Sequence, residues 1–204
     1  MIDLNKYQNL AAETAFYPGR NSNLPCNANH GELLKCTPIP FPGYVYTVLG
    51  LMGEVGEMSS AISDFYNACS IPEEEYKDAV SKARLNLEKE MGDVFWYLSQ
   101  FCMELGIPFS QIHIEKTYYS GSLRITEIFG EICELTKKAI RDNGGKITPT
   151  TKEKILNNLR HIFDHLMFVA KNTEIFIDTV LEKNIEKLSS RRERNALGGS
   201  GDNR

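Results

Sequence analysis

The sequence predicts an all-α protein, a helical bundle, and three features predict it. Apolar residues recur at helical spacing in separate stretches, capping or breaking residues bound each stretch, and no run of alternating β-branched residues competes. From Asp3, an N-cap residue, Leu4, Tyr7, Leu10 and Ala11 mark a short first helix that ends at Tyr17-Pro18-Gly19. Residues 18–43 carry Pro, Gly and Asn without periodicity and read as an extended loop. Over 44–68, Val45, Val48, Leu49, Met52, Val55, Ile62 and Tyr66 mark the apolar face of a long helix whose other face carries Glu54 and Glu57. Ser70 with Glu73 is a capping-box pattern, and Leu87, Met91, Val94, Leu98, Phe101 and Leu105 stripe the helix that follows until Gly106-Ile107-Pro108. A short helix is expected over 108–119. Another opens at Ser122, buries Ile125, Ile128, Phe129, Ile132, Leu135 and Ile140, and stops at Asn143-Gly144-Gly145. Thr150 with Glu153 repeats the capping-box signal, and the last pair of helices is expected over 152–171 and 173–195, before a Gly-rich tail.

Composition narrows the function. The 204 residues suit one domain or two small ones, and 42% apolar with 25% charged residues is ordinary for a soluble globular chain. Lys and Arg total 23 against 27 Asp and Glu, so the basic footprint of a nucleic-acid binder is absent. The longest uncharged stretch, 36–53, holds three prolines and is no membrane span. No secretory signal opens the chain, and five cysteines without a CxxC suit reduced thiols, so a cytoplasmic location is expected. Cys26, His30 and Cys36 lack an evident fourth ligand and read as loop residues rather than a zinc site.

The chain also resembles itself. Gly53-Glu54-x-x-Glu57 has a partner in Gly130-Glu131-x-x-Glu134; with gaps, Val94, Phe95 and Leu98 lie over Ile162, Phe163 and Leu166. The expectation is a degenerate duplication, units 1–120 and 121–204 packing as a pseudo-dimer within one globule. In the second unit Asn158 and His161 stand where Glu90 and Asp93 stand in the first. His161 and His165, one turn apart, permit a metal pair, but helix histidines satisfied by their surroundings are the better reading.

Chemistry concentrates on two carboxylate forks. Glu54 and Glu57 are three apart on one helix, and Glu90 and Asp93 three apart on another, so each pair projects from a single face. Packed face to face, four anionic side chains would repel unless cations lie between them, and hard divalent ions such as Mg²⁺ prefer such oxygen ligands. Gly53, Gly56 and Gly92 accompany the forks at a cost of ~1 kcal/mol each in a helix, which close helix contact or ligand approach would justify. A di-iron carboxylate bundle requires Glu-x-x-His, which the sequence lacks. Phe95, Trp96 and Tyr97 offer rings for stacking a base, although aromatics at this spacing more often build core.

With ExxE as Glu54-Val-Gly-Glu57 and ExxD as Glu90-Met-Gly-Asp93, the chain resembles the MazG-like all-α nucleoside triphosphate pyrophosphohydrolases. The likeness extends to Tyr7-Gln8, to Gly92-Asp93-Val94-Phe95-Trp96-Tyr97-Leu98, and to Asn184-Ile185-Glu186-Lys187-Leu188 with the Gly-rich ending, as in the small, often phage-encoded branch related to the dimeric dUTPases. The interval between Glu57 and Glu90 is longer than usual for that family, and the second unit is inserted before the terminal Asn-x-x-Lys-Leu. The resemblance implies hydrolysis of a (deoxy)nucleoside triphosphate to monophosphate and pyrophosphate by metal-activated water attack on the α-phosphorus. It implies that Glu54, Glu57, Glu90 and Asp93 hold Mg²⁺, with Mn²⁺ as substitute, and that one of these carboxylates also orients the water; the sequence does not decide which, and Glu57 is the first candidate. It assigns substrate contacts to Asn184, Lys187, Arg191, Asp202 and Arg204, and it implies a homo-oligomer, a dimer first. The competing expectation is a non-catalytic nucleotide-binding or protein-interaction module on the same fold.

Overall fold

The computed structural model describes residues 2–15, 17, 19–20, 42–113 and 122–196. Among them the chain forms six α-helices and no strand: α1 (Leu4–Glu13), α2 (Gly43–Ala68), α3 (Glu73–Glu104), α4 (Ser122–Asn143), α5 (Pro149–Asn172) and α6 (Ile177–Glu193). Among the described residues a 3₁₀ turn, Phe109–Ile112, follows α3. The predicted all-α bundle is what the chain forms.

The core is built around α3. Leu87, Met91, Val94, Leu98 and Phe101 are fully sealed, as the predicted stripe requires. Each such side chain contributes roughly 1.5–3 kcal/mol relative to exposure, enough to hold a 32-residue helix that carries Gly92 in its interior. α2 packs along α3 as an antiparallel hairpin. At one end Gly50 faces the Tyr97 ring, and at the other the Arg84 guanidinium lies 5.9 Å from the centre of the Phe65 ring. α6 runs beside α3 in the same direction, because its partners rise together: Glu174 with Arg84, Lys183 with Glu88, Lys187 with Asp93. α1 caps the other flank, where Trp96 Nε1 donates to the Ala11 carbonyl and to Thr14 Oγ1. α4 and α5 form a second hairpin, tied to α3 by the edge-to-face pair Phe95–Phe163.

Several local expectations are corrected. Asp3 does cap α1, accepting from the Asn5 and Lys6 amides. α3, however, begins after Pro72, and the Ser70 hydroxyl donates back to the Tyr66 carbonyl, closing α2 instead of opening α3. A proline at the cap imposes extended geometry by itself and leaves Ser70 too far upstream to serve. The cap of α5 is Thr148, whose hydroxyl accepts from the Thr151 amide, with Pro149 in the first helical position; Thr150 lies inside the helix. The helix expected over 108–119 is a 3₁₀ turn that has ended by His113, and 114–121 lie outside the described residues. The last helix starts at Ile177, because Thr173 closes α5 and Glu174 takes a left-handed φ of 56°. On α2, Leu49 and Met52 are exposed, and the buried face is Thr47, Val48, Leu51, Val55, Met58, Ala61 and Phe65. Cys26, His30, Cys36 and most of the predicted loop lie outside the described residues.

Candidate active site

The antiparallel register of α2 and α3 sets Glu54 against the Glu90 turn of α3. Glu54, Glu57 and Glu90 each bring a carboxylate oxygen within 4.8 Å of the others, the one such group of three or more metal-ligating side chains among the described residues. Glu90 is buried, Glu54 half-buried and Glu57 exposed. Two carboxylates at that separation repel by roughly 3 kcal/mol at an effective dielectric of ~20. Glu54 registers the strain. Burial first, then the charges of Asp93, Glu57 and Glu90, push its pKa up to about 7, while Lys187 pulls the other way. Three hard oxygen donors from two rigid helices, crowded enough to hold a proton near neutrality, form a donor set that fits a hard divalent cation.

Asp93, the fourth predicted ligand, stands beside this group and is engaged elsewhere. Lys187 Nζ lies 2.5 and 2.7 Å from its two oxygens, and Asn184 Nδ2 donates to Oδ1 at 3.1 Å. Tyr7 on α1 donates its hydroxyl to Asn184 Oδ1 at 3.0 Å, completing a chain from α1 through α6 to α3. Burial, with the Asp93 charge behind it, raises the Tyr7 phenol well above its ordinary range, so it remains a donor. Gly92 makes this possible. A Cβ there would come within 3.1 Å of Asn184 Nδ2 and 3.2 Å of its Cβ, so close helix contact accounts for this glycine. Gly53 and Gly56 have no such neighbour: a Cβ at either would meet nothing within 4 Å.

The remaining expected residues separate. Lys187 sits at the acid cluster, whereas Arg191, one turn on, is buried in the bundle. Asp202 and Arg204 lie outside the described residues. Phe95 and Trp96 are core; Tyr97 alone borders the site, where its hydroxyl bonds with Tyr46 and feels the charges of Glu54 and Asp93. In the second hairpin Glu131 is exposed, and Glu134 is paired with Lys137 and Lys138. Asn158 is buried with Nδ2 unpartnered, and His161 and His165 gain no third ligand among the described residues.

Sequence reasoning missed the bonds that Tyr7 and Tyr46 make at the site. Tyr7 was visible as one apolar tooth of a short helix and as part of the Tyr7-Gln8 likeness, neither of which gives its hydroxyl a partner. Its partner Asn184 lies 177 positions away, which no local pattern reports. No described helix is long and apolar enough to cross a membrane.

Comparison with known proteins agrees with this geometry. Residues 45–134 match the family model described as the MazG nucleotide pyrophosphohydrolase domain, a span that holds all four forked carboxylates but not Asn184 or Lys187. The chain is similar to the "Gene 37 protein" of Mycobacterium phage L5, 35% identical over 75 residues, which are 37% of this chain and 66% of that protein. The match thus falls just short of two thirds of that relative's length. No solved structure matches the chain. Residues 45–134, which carry the acid cluster of α2 and α3, are thus similar to the MazG nucleotide pyrophosphohydrolase domain.

Proposed function

We propose that the chain hydrolyses a (deoxy)nucleoside triphosphate to the monophosphate and pyrophosphate, by water attack at the α-phosphorus, in a Mg²⁺-dependent reaction. The observation that carries this reading is the convergence of Glu54, Glu57 and Glu90 inside a MazG domain. Bound among them, Mg²⁺, or Mn²⁺ in its place, supplies the positive charge that polarises a phosphate oxygen and acidifies water. The protein's own groups divide the remaining work. Glu54 and Glu90, held by rigid helices, fix the cation's position; Glu57, the exposed member, is placed to orient a water. Asp93 would join the cation's ligands if its ion pair with Lys187 opened, and the Lys187 ammonium would then be free to meet phosphate. Asn184 stays anchored by Tyr7 and positions both.

In the same reading α4 and α5 are a degenerate counterpart of α2 and α3 that supplies walls and no second metal fork, supported by the lysines that occupy Glu134. The reading also includes a homo-oligomer, dimer first, supported by Leu49 and Met52, which α2 leaves exposed beside the cluster.

The test is a panel of canonical dNTPs and NTPs plus dUTP, incubated with Mg²⁺ and followed by ³¹P NMR. Pyrophosphate with a monophosphate is expected, and Glu54→Gln or Asp93→Asn should lower turnover by at least about a hundredfold with helicity intact. Full activity in both variants removes the mechanism, and no turnover with any nucleotide leaves the fold as a binding module.

A further inference from the structure

A second feature adjoins the acid cluster. Between the parallel helices α3 and α6 runs a groove of about 260 Å³, lined by Leu85, Glu88, Lys89, Gly92, Val180, Lys183, Asn184 and Lys187. Its lining residues fall on one stripe of each helix, 85, 88, 89 and 92 on α3 and 180, 183, 184 and 187 on α6, so it is continuous over about 10 Å of helix axis. One end meets the cluster at Gly92, Asn184 and Lys187; the other reaches Leu85 and Val180. Three lysines and one glutamate line it, and each ammonium has a carboxylate beside it: Glu88 for Lys183, Glu90 for Lys89 and Asp93 for Lys187.

We infer that this groove seats the terminal diphosphate half of the substrate, the part that leaves as pyrophosphate, with Lys183 and Lys89 as phosphate-binding side chains beyond the Asn184–Lys187 pair. The inference rests on the hydrolase reading for the identity of the substrate, but the groove's affinity for pyrophosphate is a separate property. If the α-phosphorus lies at the cation, only one side of it can run into the groove, and charge decides which. A base and sugar would bury neutral polar groups against ammoniums, whereas a diphosphate carries several anionic oxygens that ammoniums can share. The lysines' present partners suit an exchange. Lys183 Nζ lies 2.6 Å from Glu88 Oε1 and Lys89 Nζ 3.8 Å from Glu90 Oε1, and a phosphate chain between the helices offers both ammoniums a more highly charged acceptor. The Lys183 side chain is half-exposed, so its contribution depends on salt. Glu88 is the one lining group that opposes the ligand, and it sets how firmly pyrophosphate is retained after cleavage.

The test is titration calorimetry of inorganic pyrophosphate with Mg²⁺ on the wild type, Lys183→Ala, Lys89→Ala and Glu88→Gln, together with steady-state kinetics on the best triphosphate. Loss of either lysine should weaken pyrophosphate binding about tenfold and raise KM more than it lowers kcat, with inhibition by the nucleoside monophosphate unchanged. Glu88→Gln should tighten pyrophosphate a few-fold. Circular dichroism checks that these surface variants remain folded. If triphosphates are hydrolysed while both alanine variants bind pyrophosphate like wild type, the groove assignment is overturned and the hydrolase reading stands. Lysine-dependent pyrophosphate binding without hydrolysis of any nucleotide leaves the groove and overturns the hydrolase. Failure to bind pyrophosphate at all overturns the groove.

Discussion

Glu54 is where the conflict between folding and function is sharpest. Its carboxyl is raised to about 7 by burial and by three neighbouring acids, so in the metal-free protein it holds a proton that the unfolded chain releases near the ordinary carboxylate pKa. The folded state therefore binds more protons between these values, and stability falls as pH climbs through that window. After solvent screening at a half-exposed site the loss is about 1 kcal/mol, or about 2–4 °C in Tm. Thermal melts of the metal-free protein at about pH 5.5 and pH 8 should show it, with any global pH effect subtracted by using Glu54→Gln, which lacks the group. Mg²⁺ should raise Tm more at the higher pH, where Glu54 is ionised; an equal increment at both would show that Glu54 is not a ligand. The acids on helices were legible as residues with spacing, and the ExxE and ExxD forks named all three members of the cluster. The proton on Glu54 was not legible, since it depends on how close α3 comes.

At the scale of the helix, glycines separate packing from function. Gly50 and Gly53 lie three apart on α2, yet a Cβ on the first would fall 2.0 Å from the Tyr97 ring and on the second would meet nothing within 4 Å. Gly50→Ala should push the ring off the α2–α3 seam, costing about 1–3 kcal/mol and disturbing the Tyr97–Tyr46 hydroxyl pair. Gly53→Ala should stabilise by roughly 0.5–1 kcal/mol, because only the unfolded chain's freedom is lost. Chemical denaturation of both variants measures the contrast. If Gly53→Ala is stabilised and yet slower, the open face beside Glu54 is used by substrate; a destabilised Gly53→Ala contradicts the geometry. Helix positions followed from periodicity, but two capping boxes failed because a proline immediately before or inside the first turn overrode the Ser or Thr signal.

Across the whole molecule, three segments distant in sequence meet at one place. Tyr7 from α1, Asp93 from α3 and Asn184 with Lys187 from α6 form one polar chain, so the described core behaves as a unit and the second hairpin is spliced between the parts of a single site. The family-model match ends at 134, before Asn184 and Lys187; the sequence resemblance named both residues, and the fold adds their bonds to Tyr7 and Asp93. The exposed apolar residues of α2 belong to the same scale. Leu49 is 68% exposed on a helix whose other face is core. If the chain is a dimer by light scattering, Leu49→Asp should shift it to monomer without loss of helicity, and an unaltered mass would place the interface on another surface.

By itself the amino-acid sequence determined that this protein is helical, which residues build the sealed stripe of α3, and that four carboxylates come in two forks. Those are consequences of local chemistry: spacing at 3.6 residues per turn sets which side chains share a face, whatever lies beyond. Only the tertiary structure decided that Asp93 is held by Lys187 rather than joining the other three acids, that Arg191 is buried, that Leu49 and Met52 are not, and that a lysine-lined groove runs from the cluster between α3 and α6. Each of these depends on which helix lies against which and in what direction, and packing between segments more than 90 residues apart leaves no local period in the sequence to read.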